Sequence, residues 1–308
     1  MTFFAVLIAF VLDQARRPGT PTPWLAPMAG WAGWVQRQLD AGHALHGWLV
    51  WGVALGAPVL AVALVHGLLA RASSLLAFAW TVLVLYATLG FRQFSHHFTA
   101  IRAALESGDE ARARELLAQW QGVDVADWPR EALLRRVIAQ GIGASHRHVF
   151  GVLVWFVALS ALGLGPAGAV LYRVAAWLAQ AWGGAGHAGA PVSDAVAQLA
   201  RRAWCWIDAG PARVTALGFA VVGHFEDALE RWRQQRHPWS EPSDTLLIAV
   251  AEGALQVRLG TEAAPDDGWS RDLPAPQLAH LASAVGLVWR SVVLWLLVLA
   301  LALLARIF

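Results

Sequence analysis

The amino-acid sequence predicts an all-α, polytopic membrane protein with broken membrane helices and helical insertions on the cytoplasmic side. Hydrophobic residues make up 57% of its 308 residues and charged residues only 14%, and the mean hydropathy is +0.50. Several apolar runs approach the roughly 20 residues that an α-helix needs to cross a bilayer. Many of the 18 Trp residues lie in or beside these runs, as is typical of side chains at a membrane interface. The lipid bilayer is therefore the first expected partner.

Composition excludes several other classes of protein. The 23 basic and 21 acidic residues nearly balance, which argues against binding to nucleic acid. The single Cys205 excludes an intramolecular disulfide and a cysteine-based metal site. Histidines occur in two close groups, 96–97 and 146–148, but neighbouring histidines do not share a helix face and no carboxylate completes a ligand set. We predict no metal site and no cofactor.

The elements follow from the hydropathy pattern. The first part of the chain is predicted to contain a short apolar element, an amphipathic helix and two membrane spans, at residues 3–12, 28–39, 46–69 and 75–90. Residues 92–147 are rich in charge and are predicted to form a soluble helical insertion, in which Gly108 ends one helix and Asp109 caps the next. A second insertion is predicted at 224–285, with helices near 225–235 and 246–259, and a last span at 286–307. The whole chain, 1–308, is interpreted as a single membrane domain that includes both insertions.

The stretch 149–182 is apolar, yet it is too long for one span and short for two. The glycines in its middle predict either a broken helix or a tight hairpin. With one broken crossing, the arginine-rich segments 13–45, 91–148 and 224–285 share a side, which the positive-inside rule makes cytoplasmic. A hairpin would move 224–285 to the other side. We favour the single broken crossing.

Charged residues inside apolar runs are the candidate site. Asp208 and Arg213 flank Gly210-Pro211 within the apolar run 203–222, which predicts an intramembrane pair at a helix break where an anionic ligand binds. The alternative is that Asp208 caps a helix at the interface while Arg213 extends to the lipid headgroups. Arg173 and Arg290 allow the same two interpretations. Convergence of the three arginines would favour a phosphate or carboxylate ligand.

Four motifs, in order along the chain, resemble the CobD/CbiB cobalamin-biosynthesis membrane protein family and its relative AmpE. They are ALESGD at 104–109 with the following 113–114 and 122–124, FGVLVWF at 150–156 with 168–169 and 172–173, PARVT at 211–215, and AEGALQVRLG at 251–260. The resemblance implies a helical membrane protein of the bacterial inner membrane. For the enzyme branch it implies an amide-forming synthase that joins aminopropanol (phosphate) to adenosylcobyric acid.

The sequence departs from that enzyme branch at two places. GASHRH at 143–148 stands where the family has E-N-x-x-D-G, and Ala176 and Ala179 stand where it has Asn and Asp. These losses favour an AmpE-like protein, a non-catalytic sensor or ligand-binding relative. The alternative is a synthase that uses Mg²⁺ and ATP, with Asp124, Asp208 and Glu252 as its catalytic groups. The small number of full spans favours a homodimer.

Overall fold

The computed structural model describes residues 2–15, 24–40, 42, 44–122, 125, 127–183, 192–235, 241–260 and 273–305. It is 85% helical and has no strand among these residues, which confirms the all-α prediction. Three helical segments are long and apolar enough to cross a membrane, namely His46–Ala72, Arg130–Ala161 and Leu278–Leu304. Thr2–Ala15 and Ser74–Thr88 are shorter apolar helices. The predicted second span at 75–90 is thus a helix too short for a clean crossing.

The chain divides into two compact units. The first unit comprises Met1–Gly90, Arg147–Pro211 and Pro238–Pro242, and the second comprises Phe91–His146, Ala212–His237 and Ser243–Phe308. The single domain expected for 1–308 stays a prediction. Each unit is described separately below.

The first unit is a bundle of apolar helices. In chain order these are α1 (Thr2–Ala15), α2 (Leu25–Leu39), α3 (Ala44–Ala72), α4 (Ser74–Thr88), α8 (Gly151–Ala161), α9 (Ala167–Gly183) and the first part of α10 (Asp194–Val222). Helix α3 packs against α2, α4 and α9, and α1 packs against α4. The core of the first unit contains Met28 from α2, Val50 from α3, Leu178 from α9 and Val196 from α10. The predicted amphipathic helix at 28–39 is confirmed, because α2 buries Met28, Ala32 and Val35.

Helices α8 and α9 form a hairpin that resolves the ambiguous stretch 149–182. They are joined by a turn at 162–166 and pack directly against each other. Gly163 and Gly165 adopt positive φ values of 80° and 57°, a conformation that costs glycine little. A methyl group on Gly168 would overlap the carbonyl of Trp155, so this glycine permits the close approach. The prediction of a single broken crossing is wrong. The assignment of 13–45, 91–148 and 224–285 to one cytoplasmic side depended on that prediction and therefore has no support.

The predicted helix break at Gly210-Pro211 is also wrong. Helix α10 continues from Asp194 to Val222 with Pro211 inside it. Proline lacks the N–H that would bond the carbonyl four residues earlier, which here is that of Ile207. The indole Nε1 of Trp155 donates to this carbonyl at 3.0 Å and so satisfies the group that the proline leaves open.

The same arrangement recurs in α3. Pro58 lies inside that helix, and the carbonyl four residues earlier belongs to Ala54. The indole Nε1 of Trp31 donates to it at 3.2 Å. Two tryptophans thus keep two proline-containing helices continuous, since buried backbone carbonyls in an apolar setting need a partner.

The second unit contains α5 (Phe91–Glu106), α6 (Glu110–Gln121), α7 (Arg130–Ser145), α11 (Phe225–Gln234), α12 (Asp244–Leu255), α13 (Leu278–Leu304) and the end of α10. The predicted α5–α6 boundary is confirmed. Gly108 has a φ of 80°, and the carboxylate of Asp109 accepts from Arg112 N at 2.9 Å. Helix α11 pairs with α12, and α13 packs on α7, α5 and α12. The predicted buried helix at 246–259 ends earlier, at Leu255, where Gln256 takes a left-handed conformation.

Helix α7 begins at Arg130, well before the span predicted from residue 149. It passes through a π-helical turn, His146–Phe150, into α8. The predicted end of the soluble insertion at residue 147 is not a break in the helix. The apolar face of α7 is continuous with the apolar run that follows it.

Candidate functional site

The four predicted site residues are divided between the two units. Asp208 and Arg173 belong to the first unit, and Arg213 and Arg290 belong to the second. Within the first unit, Asp208 and Arg173 are brought into one neighbourhood by Tyr172, which adjoins Arg173 in the chain and contacts Asp208. This neighbourhood is the candidate site.

Asp208 is held by a buried tyrosine. The hydroxyl of Tyr172 donates to Asp208 Oδ1 at 2.6 Å, and Asp208 is 4% exposed. The tyrosine ring occupies the space in front of Gly151, where any β-carbon would overlap it. Because α10 begins at Asp194, Asp208 lies in the helix interior, and the alternative that it caps a helix is wrong.

The Arg173 guanidinium contacts two neutral side chains. Its Nη1 donates to His148 Nδ1 at 3.2 Å, and its guanidinium lies 5.7 Å from the ring centroid of Trp24. The buried Nε has no hydrogen-bond partner. Within the described part of the chain, no carboxylate lies within ion-pair distance of Arg173.

A second arginine adds to this positive charge. Arg147 lies close enough to Arg173 for the two guanidinium charges to repel each other. Since His148 Nδ1 accepts from Arg173, its remaining proton sits on Nε2, as assigned from the hydrogen-bond network. We call Trp24, Arg147, His148 and Arg173 the basic cluster. It offers several N–H donors from two arginines in a largely apolar setting, which is the chemistry that binds a phosphate or carboxylate.

The backbone beneath the basic cluster is unusual. Arg147 and His148 lie in the π-helical turn His146–Phe150, and such single turns occur often at functional sites. On its second-unit side, His146 Nδ1 lies 2.9 Å from the hydroxyl of Thr215. The sequence singled out the histidines as metal candidates and favoured interfacial or anion-contacting roles for them instead. It gave no signal for Trp24, and the π-helical turn has no periodicity that would reveal it.

The remaining predicted residues are described within the second unit, to which Arg213 and Arg290 belong. Arg213 is half-buried on α10. Arg290 is exposed on α13, and its Nε donates to the carbonyl of Gly286 at 3.2 Å. Asp124 lies outside the described residues. Among these residues no group of three or more His, Cys, Asp or Glu side chains is placed to hold a metal ion.

Glu252, the other acid considered for catalysis, is enclosed in the second unit. It accepts from Arg231 Nη2 at 2.8 Å, from Leu259 N at 3.0 Å and from Gly260 N at 3.4 Å. Its exposure is 1%. These contacts anchor the segment after α12 and leave the carboxylate enclosed.

Comparison with known proteins shows the family of the chain. A family model described as CobD/Cbib protein matches residues 2–288. The chain belongs to the CobD/CbiB family. It is similar to the cobalamin biosynthesis protein CobD of Chromobacterium violaceum, with 31% identity over 307 residues, 94% of this chain and 92% of that protein. It is also similar to the protein of the same name from Stutzerimonas stutzeri, with 31% identity over 233 residues and 71% of each chain. No solved structure matches the chain significantly.

These relatives confirm the resemblance to the CobD/CbiB family. Both carry the CobD name, so the prediction of an AmpE-like branch gains no support from them. Ala176 and Ala179, where the enzyme branch was expected to have Asn and Asp, are buried at 6% and 9% exposure. The apolar character of these two positions is therefore part of the packing of α9.

Proposed function

We propose that this protein acts in cobalamin biosynthesis in the bacterial inner membrane, as a CobD-type synthase that forms an amide between aminopropanol phosphate and adenosylcobyric acid. The observation that carries the proposal is the similarity to a CobD protein along nearly the whole chain. Family resemblance supplies the reaction, and self-association as a homodimer belongs to the same proposal.

The basic cluster supports the proposal because each proposed substrate carries an anionic group, a phosphate or a carboxylate. Arg173 and Arg147 would bind a phosphate or carboxylate through charge-assisted hydrogen bonds, which are roughly twice as strong as neutral ones. Trp24 covers one face of the Arg173 guanidinium and restricts its orientation. Tyr172 holds Asp208 in the same neighbourhood by a short hydrogen bond.

The described residues do not fit a site for Mg²⁺ and ATP. Asp208 accepts a hydrogen bond from Tyr172, and Glu252 pairs with Arg231 in the other unit. Among the described residues, neither acid belongs to a group of three or more potential metal ligands. Mg²⁺ in nucleotide sites is usually held through one or two available carboxylates. We therefore assign no step of the reaction to these groups and limit the role of the site to substrate binding.

A second candidate function follows from the same misfit. A non-catalytic membrane protein that binds an anionic ligand would need the basic cluster but no metal-binding acids. The buried Ala176 and Ala179 favour it, because the amide and acid expected in the enzyme branch are absent there. This is the AmpE-like interpretation.

Genetic complementation separates the two candidates. A cobalamin auxotroph that lacks the synthase is transformed with this gene and fed either cobyric acid or cobinamide. Growth on both compounds is the expected result. Growth on cobinamide alone, with the protein detected in the membrane fraction, would overturn the synthase proposal and favour the non-catalytic candidate.

A further inference from the structure

The first unit contains a cavity whose lining shares no residue with the basic cluster. Its volume is about 270 Å³, and it lies between α1, α3, α4, α8 and the glycine turn after α8. This volume is just below the range of about 300–1,000 Å³ typical of ligand pockets, so it suits a small molecule. Its walls combine apolar side chains such as Phe78 and Phe156 with polar groups, namely the ring of His66 and the hydroxyls of Thr2, Ser74, Thr81 and Ser160.

His66 is the polar group of this cavity that is fixed in place. Its Nδ1 lies 3.5 Å from the hydroxyl of Thr81, and that hydroxyl donates to the carbonyl of Ala77 at 2.8 Å. The Thr81 oxygen is therefore an acceptor toward the ring, so the proton of His66 is on Nδ1. Nε2 is left as a hydrogen-bond acceptor, and it has no partner within the described part of the chain.

The glycine turn closes over the imidazole. Ser160 Oγ donates to the carbonyl of Gly165 at 2.9 Å, which folds the turn back on itself. A methyl group on Gly165 would overlap the His66 ring. The ring thus stands between Thr81 and Gly165, and its orientation is set before any ligand enters.

The charge of the lining defines the ligand. None of the residues that line the cavity is an arginine, lysine, aspartate or glutamate, so neither an anion nor a cation finds a counter-charge there. Four hydroxyl groups line the cavity, those of Thr2, Ser74, Thr81 and Ser160. The hydroxyls of Thr81 and Ser160 are already engaged as donors, with Ala77 and Gly165. His66 Nε2 is an acceptor that the ring contacts leave open, which matches a ligand that donates a hydrogen bond.

We propose that this cavity binds an uncharged alcohol with an apolar tail, whose hydroxyl donates a hydrogen bond to His66 Nε2. The apolar tail lies against Phe78 and Phe156. Leu75 and Leu76 on the neighbouring turn of α4 are 71% and 50% exposed, which gives such a molecule an apolar approach from the bilayer. This proposal is independent of the amide-forming reaction.

Photolabelling tests the proposal on the full-length protein in phosphatidylcholine nanodiscs. The probe is 3-azioctanol, and labelled peptides are located by mass spectrometry. Label is expected on peptides from α3, α4 and the glycine turn, and 1-octanol should compete for it whereas octane and octanoate should not. Octane that competes as well as 1-octanol would overturn the role of the hydroxyl.

Substitutions locate the hydrogen bond. His66→Phe keeps the ring volume and is expected to lower the competable label about fivefold, the effect of one neutral hydrogen bond. Thr81→Val, which releases the ring, should lower it by a smaller factor, and the exposed His96→Phe should leave it unchanged. A His66→Phe protein that folds, by its size-exclusion profile, and keeps full competable label would overturn the proposal.

A last arm distinguishes the source of the alcohol. Nanodiscs are prepared with and without monoolein, a lipid with free hydroxyl groups. Competition by monoolein would assign the site to a membrane lipid. Competition by 1-octanol without competition by monoolein would assign it to a free small alcohol.

Discussion

The second unit surrounds its buried Glu252 with partners, whereas the first unit leaves Arg173 without a counter-charge. Glu252 accepts one bond from Arg231 and two from backbone N–H groups, so its charge is neutralised within the fold. Arg173 contacts a neutral histidine and an aromatic ring, and Arg147 increases the positive charge beside it. A closed network of this kind stabilises structure, while an incomplete one is a place for a ligand.

The largest expected effect comes from opening the closed network. Glu252→Gln removes the carboxylate charge that pairs with the buried Arg231, and breaking a buried pair in this way costs about 3–5 kcal/mol. Denaturant unfolding of the purified protein in detergent measures the change. Glu115→Gln, which removes an ion pair with Arg112 in which the Glu115 side chain is 56% exposed, is the matched control and should cost less than about 1 kcal/mol. Equal effects for the two variants would show that the network is not closed.

The next effect tests how the first unit is built around its site. Gly151→Ala places a β-carbon where the Tyr172 ring lies, and overpacking of this kind costs about 1–3 kcal/mol. The ring must move, so its bond to Asp208 should be lost as well. Gly210→Ala is the control, because an added methyl there meets nothing within 4 Å and alanine favours the helix. Unfolding that is unchanged by Gly151→Ala would contradict the close contact.

The bond between Trp155 and Ile207 comes third. Trp155→Phe removes the donor to the carbonyl that Pro211 leaves open, and an unsatisfied buried acceptor costs about 1–2 kcal/mol. The cost should be smaller in a Pro211→Ala background, since alanine restores the helical N–H. A double-mutant cycle on the free energy of unfolding measures this coupling. Strict additivity of the two substitutions would refute the arrangement.

These contacts also show which features could be predicted from the sequence and which could not. The Gly108-Asp109 boundary was predictable because a left-handed glycine and a capping carboxylate act on their own neighbours in the chain. The break at Pro211 was predicted wrongly because the compensating donor, Trp155, lies 52 residues from Ile207, whose carbonyl it satisfies. Arg173 was found because a charge in an apolar run is unusual. Its neighbours Trp24 and His148 could not be found, since only packing and the π-helical turn bring them to it.

A smaller effect is expected at the edge of the first unit. Asp40 accepts from the N–H and hydroxyl of Ser193 at 3.0 and 2.8 Å. Burial raises the pKa of Asp40, but the bonds from Ser193 and Gly42 outweigh it, so that the pKa is lowered. A lowered pKa adds stability above the unfolded value of about 4, and this is lost as the pH falls through the folded pKa.

The measurement for Asp40 is the difference in Tm between wild type and Asp40→Asn. It should be constant, equivalent to about 1 kcal/mol for these half-exposed bonds, above about pH 5 and should shrink below about pH 4. Asp109→Asn, at the exposed cap of α6, serves for comparison. A difference that grows as the pH falls would contradict the lowered pKa.

The smallest effect on stability is expected at Arg173, where the effect on function should be complete. Arg173→Gln removes a charge that has no counter-charge, so the relief of its desolvation offsets the lost contacts with His148 and Trp24. Stability should then change by less than about 0.5 kcal/mol, while complementation is abolished because the anion loses its main donor. Arg112→Gln, on an arginine whose side chain is 50% exposed, should preserve both. If Arg173→Gln instead unfolded the protein as Glu252→Gln is expected to, Arg173 would be a structural residue, and the two networks would not differ in kind.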